Sequence, residues 1–227
     1  MRFLRLSIQA RLGYVSGFLA ALSIAVSLLG MFASNKANET ALTIYGNRMP
    51  SSALIADVDM INDINGFRAS GAVDAVKDGA AGLCIMHMQG EPRTMQQQPV
   101  YVDVVDEVSC FLQQRVQVLE AAGVPRQRMC IDPGFGFGKS VEHNFSLLQH
   151  TPRLIRELGL PLLAGMSRKT MIGAVTGKPL EQRLAGSIGA ALAAAAQGAM
   201  IVRVHDVAET VDALDVWYAG LNGYGKN

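Results

Sequence analysis

The chain has 227 residues, half of them hydrophobic and 17% charged, with a formal net charge of +1 at pH 7. That length holds one ordinary domain plus an appendage, and the composition excludes a disordered chain. A near-neutral balance excludes the basic stripe of a nucleic-acid binder, so no nucleic-acid partner is expected. Cys84, Cys110 and Cys130 lie far apart and form no CxxC pair. They read as small core residues of a reducing compartment, not as a disulfide or metal framework.

The first element runs from Leu12 to Ala33, "LGYVSGFLAALSIAVSLLGMFA", uncharged and preceded by Arg2, Arg5 and Arg11. About 20 apolar residues cross a bilayer core, whereas a cleavable signal has a shorter apolar region of about 7 to 15. Residues 12–33 are therefore expected to be an uncleaved single-pass membrane anchor with the N-terminus inside. The stretch that follows, to residue 57, is polar and helical in character. Its apolar positions Leu42, Ile44, Leu54 and Ile55 are too sparse for a core.

From about residue 58 strands and helices alternate. A strand ending at Asn62 and Asp63 comes first, then the apolar strand "GLCIMHM" (82–88). The spacing of Val104, Val108, Phe111, Leu112, Val116 and Leu119 predicts an amphipathic helix ended by Gly123 and Pro125. "RMCID" is the next strand, followed by a helix from about Phe145 to Leu158 that stops at Gly159. "LPLLAGMS" is a strand, Glu181 to Gln197 a helix and "AMIVRVHD" a strand. Asp206 and Glu209 are positioned as a capping pair for the last helix. The Ala-rich run from Gly189 to Val202 contains Gln197 and reads as a buried helix plus strand, not a second membrane span. Repeated βα units with apolar strands imply a parallel sheet, either a barrel or an open doubly wound sheet.

Each unusual polar group falls at the C-terminal end of a strand: Asn62 and Asp63, His87, Asp132, then Ser167, Arg168 and Lys169, then Arg203 and His205. In (β/α) barrels that face carries the active site, with anions bound near the last strands. Arg168, Lys169, Arg203 and His205 thus suggest a cationic site for a phosphate or pyrophosphate leaving group. "DPGFGFGKS" is no P-loop, because Pro133 stands where the first glycine is needed. Gly134, Gly136 and Gly138 give GxGxG instead of the dinucleotide GxGxxG. What remains is an acid at a strand end and a flexible glycine loop able to approach a flat ligand. His87, between Met86 and Met88, reads as a packed strand-end histidine, with no second ligand at metal spacing.

Five stretches, "INDI", "IMHMQGEPRTMQ", "DPGFGFGKSVEHN", "GMSRKTMIG" and "RVHDVAET", resemble in order and spacing the second half of bacterial dihydropteroate synthase, over about residues 58–219. Residues up to about 57 loosely resemble the start of the ligand-binding bundle of methyl-accepting chemotaxis receptors. The resemblance implies a membrane anchor and receptor-like segment (1–57) followed by a partial TIM (β/α)8 barrel of about five parallel βα units (58–227). It implies a folate-biosynthesis transferase that joins p-aminobenzoate to 6-hydroxymethyl-7,8-dihydropterin diphosphate, releases pyrophosphate with Mg2+ assistance, and is a sulfonamide target.

Carried over by residue, the resemblance has Asn62 and Asp132 hydrogen-bond the pterin, with Lys169 holding it from the next strand. Arg203 and His205 bind the diphosphate, and Ser167, Arg168 and Phe137 line the p-aminobenzoate pocket. Lys169, Arg203 and His205 are thereby the expected catalytic groups, and no metal ligand is assigned. The first three strands of that family, which supply its protein group near Mg2+ and its mobile loops, have no counterpart here. A homodimer is left open. The alternative to a transferase is a membrane-tethered fragment retaining at most pterin or sulfonamide binding; a chemoreceptor-like sensor is weakened by the absence of a signalling coiled coil.

Overall fold

A computed structural model describes residues 60–90, 95 and 99–223. It also gives the backbone of 41–44, a strand β1 (Ala41–Ile44). The anchor expected at 12–33 lies outside the described residues. Among those residues no helix is long and apolar enough to cross a membrane.

From residue 60 the elements are β2 (Met60–Asp63), α1 (Ala72–Val76), β3 (Gly82–Met86), α2 (Val104–Ala121) and β4 (Met129–Asp132). Then come α3 (Val141–Gln149), α4 (Thr151–Leu158), β5 (Leu163–Ala164), α5 (Thr170–Thr176), α6 (Leu184–Ala196), β6 (Ile201–Val204) and α7 (Val207–Asn222). Strands β2, β3 and β4 pair in parallel, as do β5 and β6. A parallel bridge between Ile131 and Leu162, with the Ile131 N–H donating to Pro161 O at 2.9 Å, joins the two groups.

Strand order therefore follows chain order from β2 to β6, and the sheet is singly wound. A doubly wound sheet would reverse its order at a switch point, so that alternative falls. Beyond β6, β1 pairs antiparallel, with Ala41 opposite Val204. The backbone is thus extended at 41–44, where the sequence has helical character.

Alternation along the strands separates two faces. Leu83, Ile85, Ile131, Leu162, Ala164, Val202 and Val204 pack with Val108, Leu112, Leu119, Leu154, Ala194 and Leu214 of the helices in one large core. Cys84, Cys130, Leu163 and Ile201 form a smaller cluster with Met60 and Met200. Asn62 pairs with Cys84, and Cys84 with Cys130, so these three share one level of that second, inner face. All three cysteines are free, but Cys110 is exposed on α2 instead of being a core residue. Hydrogen bonding to Cys130 and burial push the Cys84 thiol up.

Helix α2 starts where Asp103 accepts from the N–H groups of Val105 (2.8 Å) and Asp106 (2.9 Å), satisfying two otherwise free donors. The helix expected over 145–158 is two. Ser140 and His143 form a capping box that starts α3 earlier, and the backbone breaks at His150 before α4, which has Pro152 in its first turn. The strand expected at 160–167 shrinks to Leu163–Ala164. The helix expected from Glu181 begins as a 3-10 turn (Leu180–Gln182) before α6. The Asp206–Glu209 capping pair does not form: Asp206 makes no side-chain cap because its carboxylate is taken by Arg168.

Candidate active site

Parallel strands bring their C-terminal ends to one rim, and the polar groups of that rim meet on the inner face. Asp132, only 1% exposed, lies on the same face of β4 as Cys130, one side-chain repeat nearer the rim. Its Oδ1 accepts from Gly134 N–H at 2.7 Å. Its Oδ2 has no hydrogen-bond partner, and neither polar atom of the Asn62 side chain has one. Arg203 Nη2 stands 3.8 Å from Asp132 Oδ2, too far for a hydrogen bond. Gly165 gives the guanidinium its room, since a Cβ there would lie 2.9 Å from Arg203 Nη2.

Asp63, the second polar residue of the β2 end, has a structural duty. Its two oxygens accept from the N–H groups of Asn65 (2.9 Å) and Phe67 (2.8 Å), turning the chain after β2.

Lys169 enters from the turn after β5. Its Nζ donates to Phe135 O and lies 4.5 Å from the centre of the Phe137 ring. Lost solvation, then the neighbouring Arg203 and Lys139 charges, lower it from 10.5 to about 7 against the pull of Asp132. His205 Nδ1 lies 2.9 Å from Ser167 Oγ, which also accepts from the His205 backbone N–H at 3.2 Å. Burial, then the Arg168 charge, lowers the His205 pKa, which favours the neutral ring at pH 7.

Asp132, Lys169, Arg203 and His205 are thus brought together, with Phe137 over Lys169 and Asn62 on the same inner face. Ser167 is buried beneath His205. Arg168 is directed elsewhere: its Nε and Nη2 donate to Asp206, and its backbone sits at φ 58°, where its N–H donates to Ser187 Oγ.

The glycine loop after β4 is not free to follow a ligand. Gly134, Gly136 and Gly138 all have positive φ. A Cβ on Gly134 would fall 1.8 Å from His87 O, and on Gly138 2.4 Å from Gln89 O. Gly134 and Gly138 make room for the protein's own backbone, and Gly136 for the Lys169 side chain, whose Cδ an added Cβ would meet at 2.9 Å. Sequence reasoning passed over Lys139, which is 3% exposed; the signal was a charge placed between a glycine turn and an apolar helix. It passed over Asn144 too, whose Oδ1 accepts from Gly136 N–H at 2.6 Å.

Chemically the rim offers a buried carboxylate and amide with three unpaired polar atoms, two cations and a neutral imidazole. Ser167 and His205 are not a nucleophile and base. The hydroxyl is buried and bonds Nδ1, and the adjacent acid Asp206 binds Arg168 instead of orienting the ring. Nor do the described residues fit a resident Mg2+. That ion wants several oxygen ligands, whereas the rim's Asp132 faces Lys139, Lys169 and Arg203. Among the described residues no cluster of three acidic, histidine or cysteine side chains could hold a metal.

The family model described as pterin binding enzyme matches residues 47–205, and that of a Tar ligand binding domain homologue matches residues 2–61. The chain is 50% identical over 165 residues to the dihydropteroate synthase of Haemophilus influenzae, an alignment covering 73% of this chain and 60% of that protein. It is similar to the Burkholderia cenocepacia dihydropteroate synthase complexed with 7,8-dihydropteroate, at 56% identity and TM-score 0.67, over 72% of this chain and 61% of that one. The Xanthomonas albilineans dihydropteroate synthase solved with 4-aminobenzoic acid matches at 52% identity and TM-score 0.67, over 73% and 58%. The chain thus spans about three fifths of the length of these relatives.

Proposed function

This chain belongs to the pterin-binding enzyme family, and from that premise we propose that residues 58–227 are the last five βα units of a (β/α)8 barrel and a dihydropteroate-synthase-type transferase site. The observation that carries the reading is the set of buried atoms without a hydrogen bond, Asn62 Oδ1 and Nδ2 and Asp132 Oδ2, the last with only the Arg203 charge 3.8 Å away. Leaving a buried polar group unpaired costs about 1–3 kcal/mol, so these atoms call for a ligand with matching donors and acceptors. An aminopterin edge has them: its amino and ring N–H groups donate to Asp132 and Asn62 Oδ1, while a ring acceptor takes the Asn62 amide.

In the reaction, the arylamine nitrogen forms a bond to the pterin's exocyclic methylene carbon as the carbon–oxygen bond to the diphosphate breaks. The electron pair of that bond leaves on pyrophosphate, and the amine gives up one proton, which the departing pyrophosphate takes. Arg203 and Lys169 face the growing negative charge from a site with little water, where such contacts are strongest. Ser167 O–H donates to His205 Nδ1, leaving Nε2–H to donate to the departing oxygens. Phe137, stacked by Lys169, lies against the arylamine. Catalysis is positioning and electrostatics, without a covalent intermediate. Residues 12–33 tether the domain to a membrane, continuing the likeness of residues 2–61 to a receptor segment.

A second reading, pterin binding without turnover, rests on the same Asn62 and Asp132 atoms, which recognise the pterin and take no part in bond breaking. Growth of a folate auxotroph separates the two. Rescue that is lost in Lys169→Ala and Arg203→Ala means turnover; no rescue from a stably expressed chain leaves binding alone. Alkaline washing of membranes tests the tether, which a released product contradicts.

A further inference from the structure

We propose that Lys139 is a positioning residue that fixes the arylamine side of the site by tying the β4–α3 loop to the end of β3. The inference rests on the reading of Phe137 as an arylamine contact. A lysine following glycines at a strand end is ordinarily solvated, yet Lys139 is buried. Its Nζ lies 2.9 Å from His87 Nδ1 and donates to Phe137 O at 3.0 Å. His87 is itself buried, edge-on to Phe111 with ring centres 4.9 Å apart. Burial and the Lys139 charge push the imidazole to about 3, so Nδ1 is a neutral acceptor and Lys139 the donor. One ammonium thus holds the strand end and the backbone of Phe137 together.

Other contacts hold the same loop. Asn144 accepts from Gly136, and the Tyr101 hydroxyl donates to Gly138 O at 2.8 Å. The loop backbone is thereby held at Gly136, Phe137 and Gly138, which sets the place of the Phe137 ring beside Lys169. Burial lowers Lys139 from 10.5 to about 7, so its amine is costly to keep charged, and an apolar residue of similar volume would be cheaper for folding alone. What the lysine adds is a fixed distance between β3 and Phe137.

The test uses the full chain. Hydrogen exchange of the 134–139 amides is compared between the unsubstituted chain and Lys139→Met, and affinities are measured for sulfanilamide and 6-hydroxymethylpterin. Lys139→Met is expected to speed exchange in 134–139 but not in α2, and to weaken sulfanilamide about tenfold while pterin affinity stays within about twofold. Because Lys139 acts through Phe137, the same change in a Phe137→Ala background should add less than about twofold. Lys139→Gln, which keeps a donor, should recover most of the affinity. Equal loss of both ligands, full additivity with Phe137→Ala, or unchanged exchange would overturn the proposal. A chain that binds neither ligand contradicts the pterin-site reading instead, and the exchange comparison then decides the tether on its own.

Discussion

Replacing Lys169 with methionine should stabilise the fold while destroying the site. The lysine is held near 7 instead of 10.5. Between those values the unfolded chain keeps a proton that the folded chain has released, so stability rises with pH across the interval; below about 7 the whole cost of the buried charge is present. At about 1.4 kcal/mol per pH unit the interval has a ceiling of about 5 kcal/mol. Partial exposure of the side chain reduces the expected cost to about 3 kcal/mol. Phe135 O loses its donor in the variant, which returns about 1 kcal/mol. Urea unfolding, followed by the fluorescence of Trp217 in α7, should therefore show Lys169→Met more stable by about 2 kcal/mol at pH 6. The advantage should shrink towards pH 10, and pterin diphosphate affinity should fall at least about tenfold. Equal or lower stability at pH 6, or parallel pH profiles for the two chains, would refute the reasoning.

Asn62→Leu removes two unpaired buried atoms and should leave stability equal or raise it by about 1 kcal/mol, while abolishing pterin binding in titration calorimetry. Gly134→Ala adds a Cβ 1.8 Å from His87 O at a residue with φ 73°, and should cost about 3 kcal/mol or more in urea unfolding. Ser167→Ala deprives His205 Nδ1 of its partner. Pyrophosphate affinity should then fall about three- to tenfold with stability changed by no more than about 1.5 kcal/mol.

Much of this was legible in the residues because the signal was local. The spacing of Val104, Val108, Leu112, Val116 and Leu119 located α2 and its buried face. Position at a strand end, or for Lys169 in the turn five residues beyond β5, brought Asp132, Lys169, Arg203 and His205 to one rim. What escaped depends on partners distant in sequence. Asp206 looked like a cap for α7, but Arg168, 38 positions away, competes for the same carboxylate with two donors. Lys139 drew no reading because nothing near it announces that His87, 52 positions earlier, accepts from it. The glycines of 134–138 were read only as freedom for a ligand; that Gly134 and Gly138 admit the backbone of 87–89, and Gly136 the Lys169 side chain, depends on partners far away in sequence. The break at His150 was missed because the apolar pattern continues from Leu147 and Leu148 to Leu154 across it.

The central claim is that Asn62, Asp132, Lys169 and Arg203 form a pterin diphosphate site in this chain. Titration calorimetry of 6-hydroxymethyl-7,8-dihydropterin diphosphate into the full chain tests it most directly. One site per chain is expected, at least about tenfold weaker in Asp132→Asn and Arg203→Ala. No binding by a folded chain, or affinity indifferent to both substitutions, would contradict it.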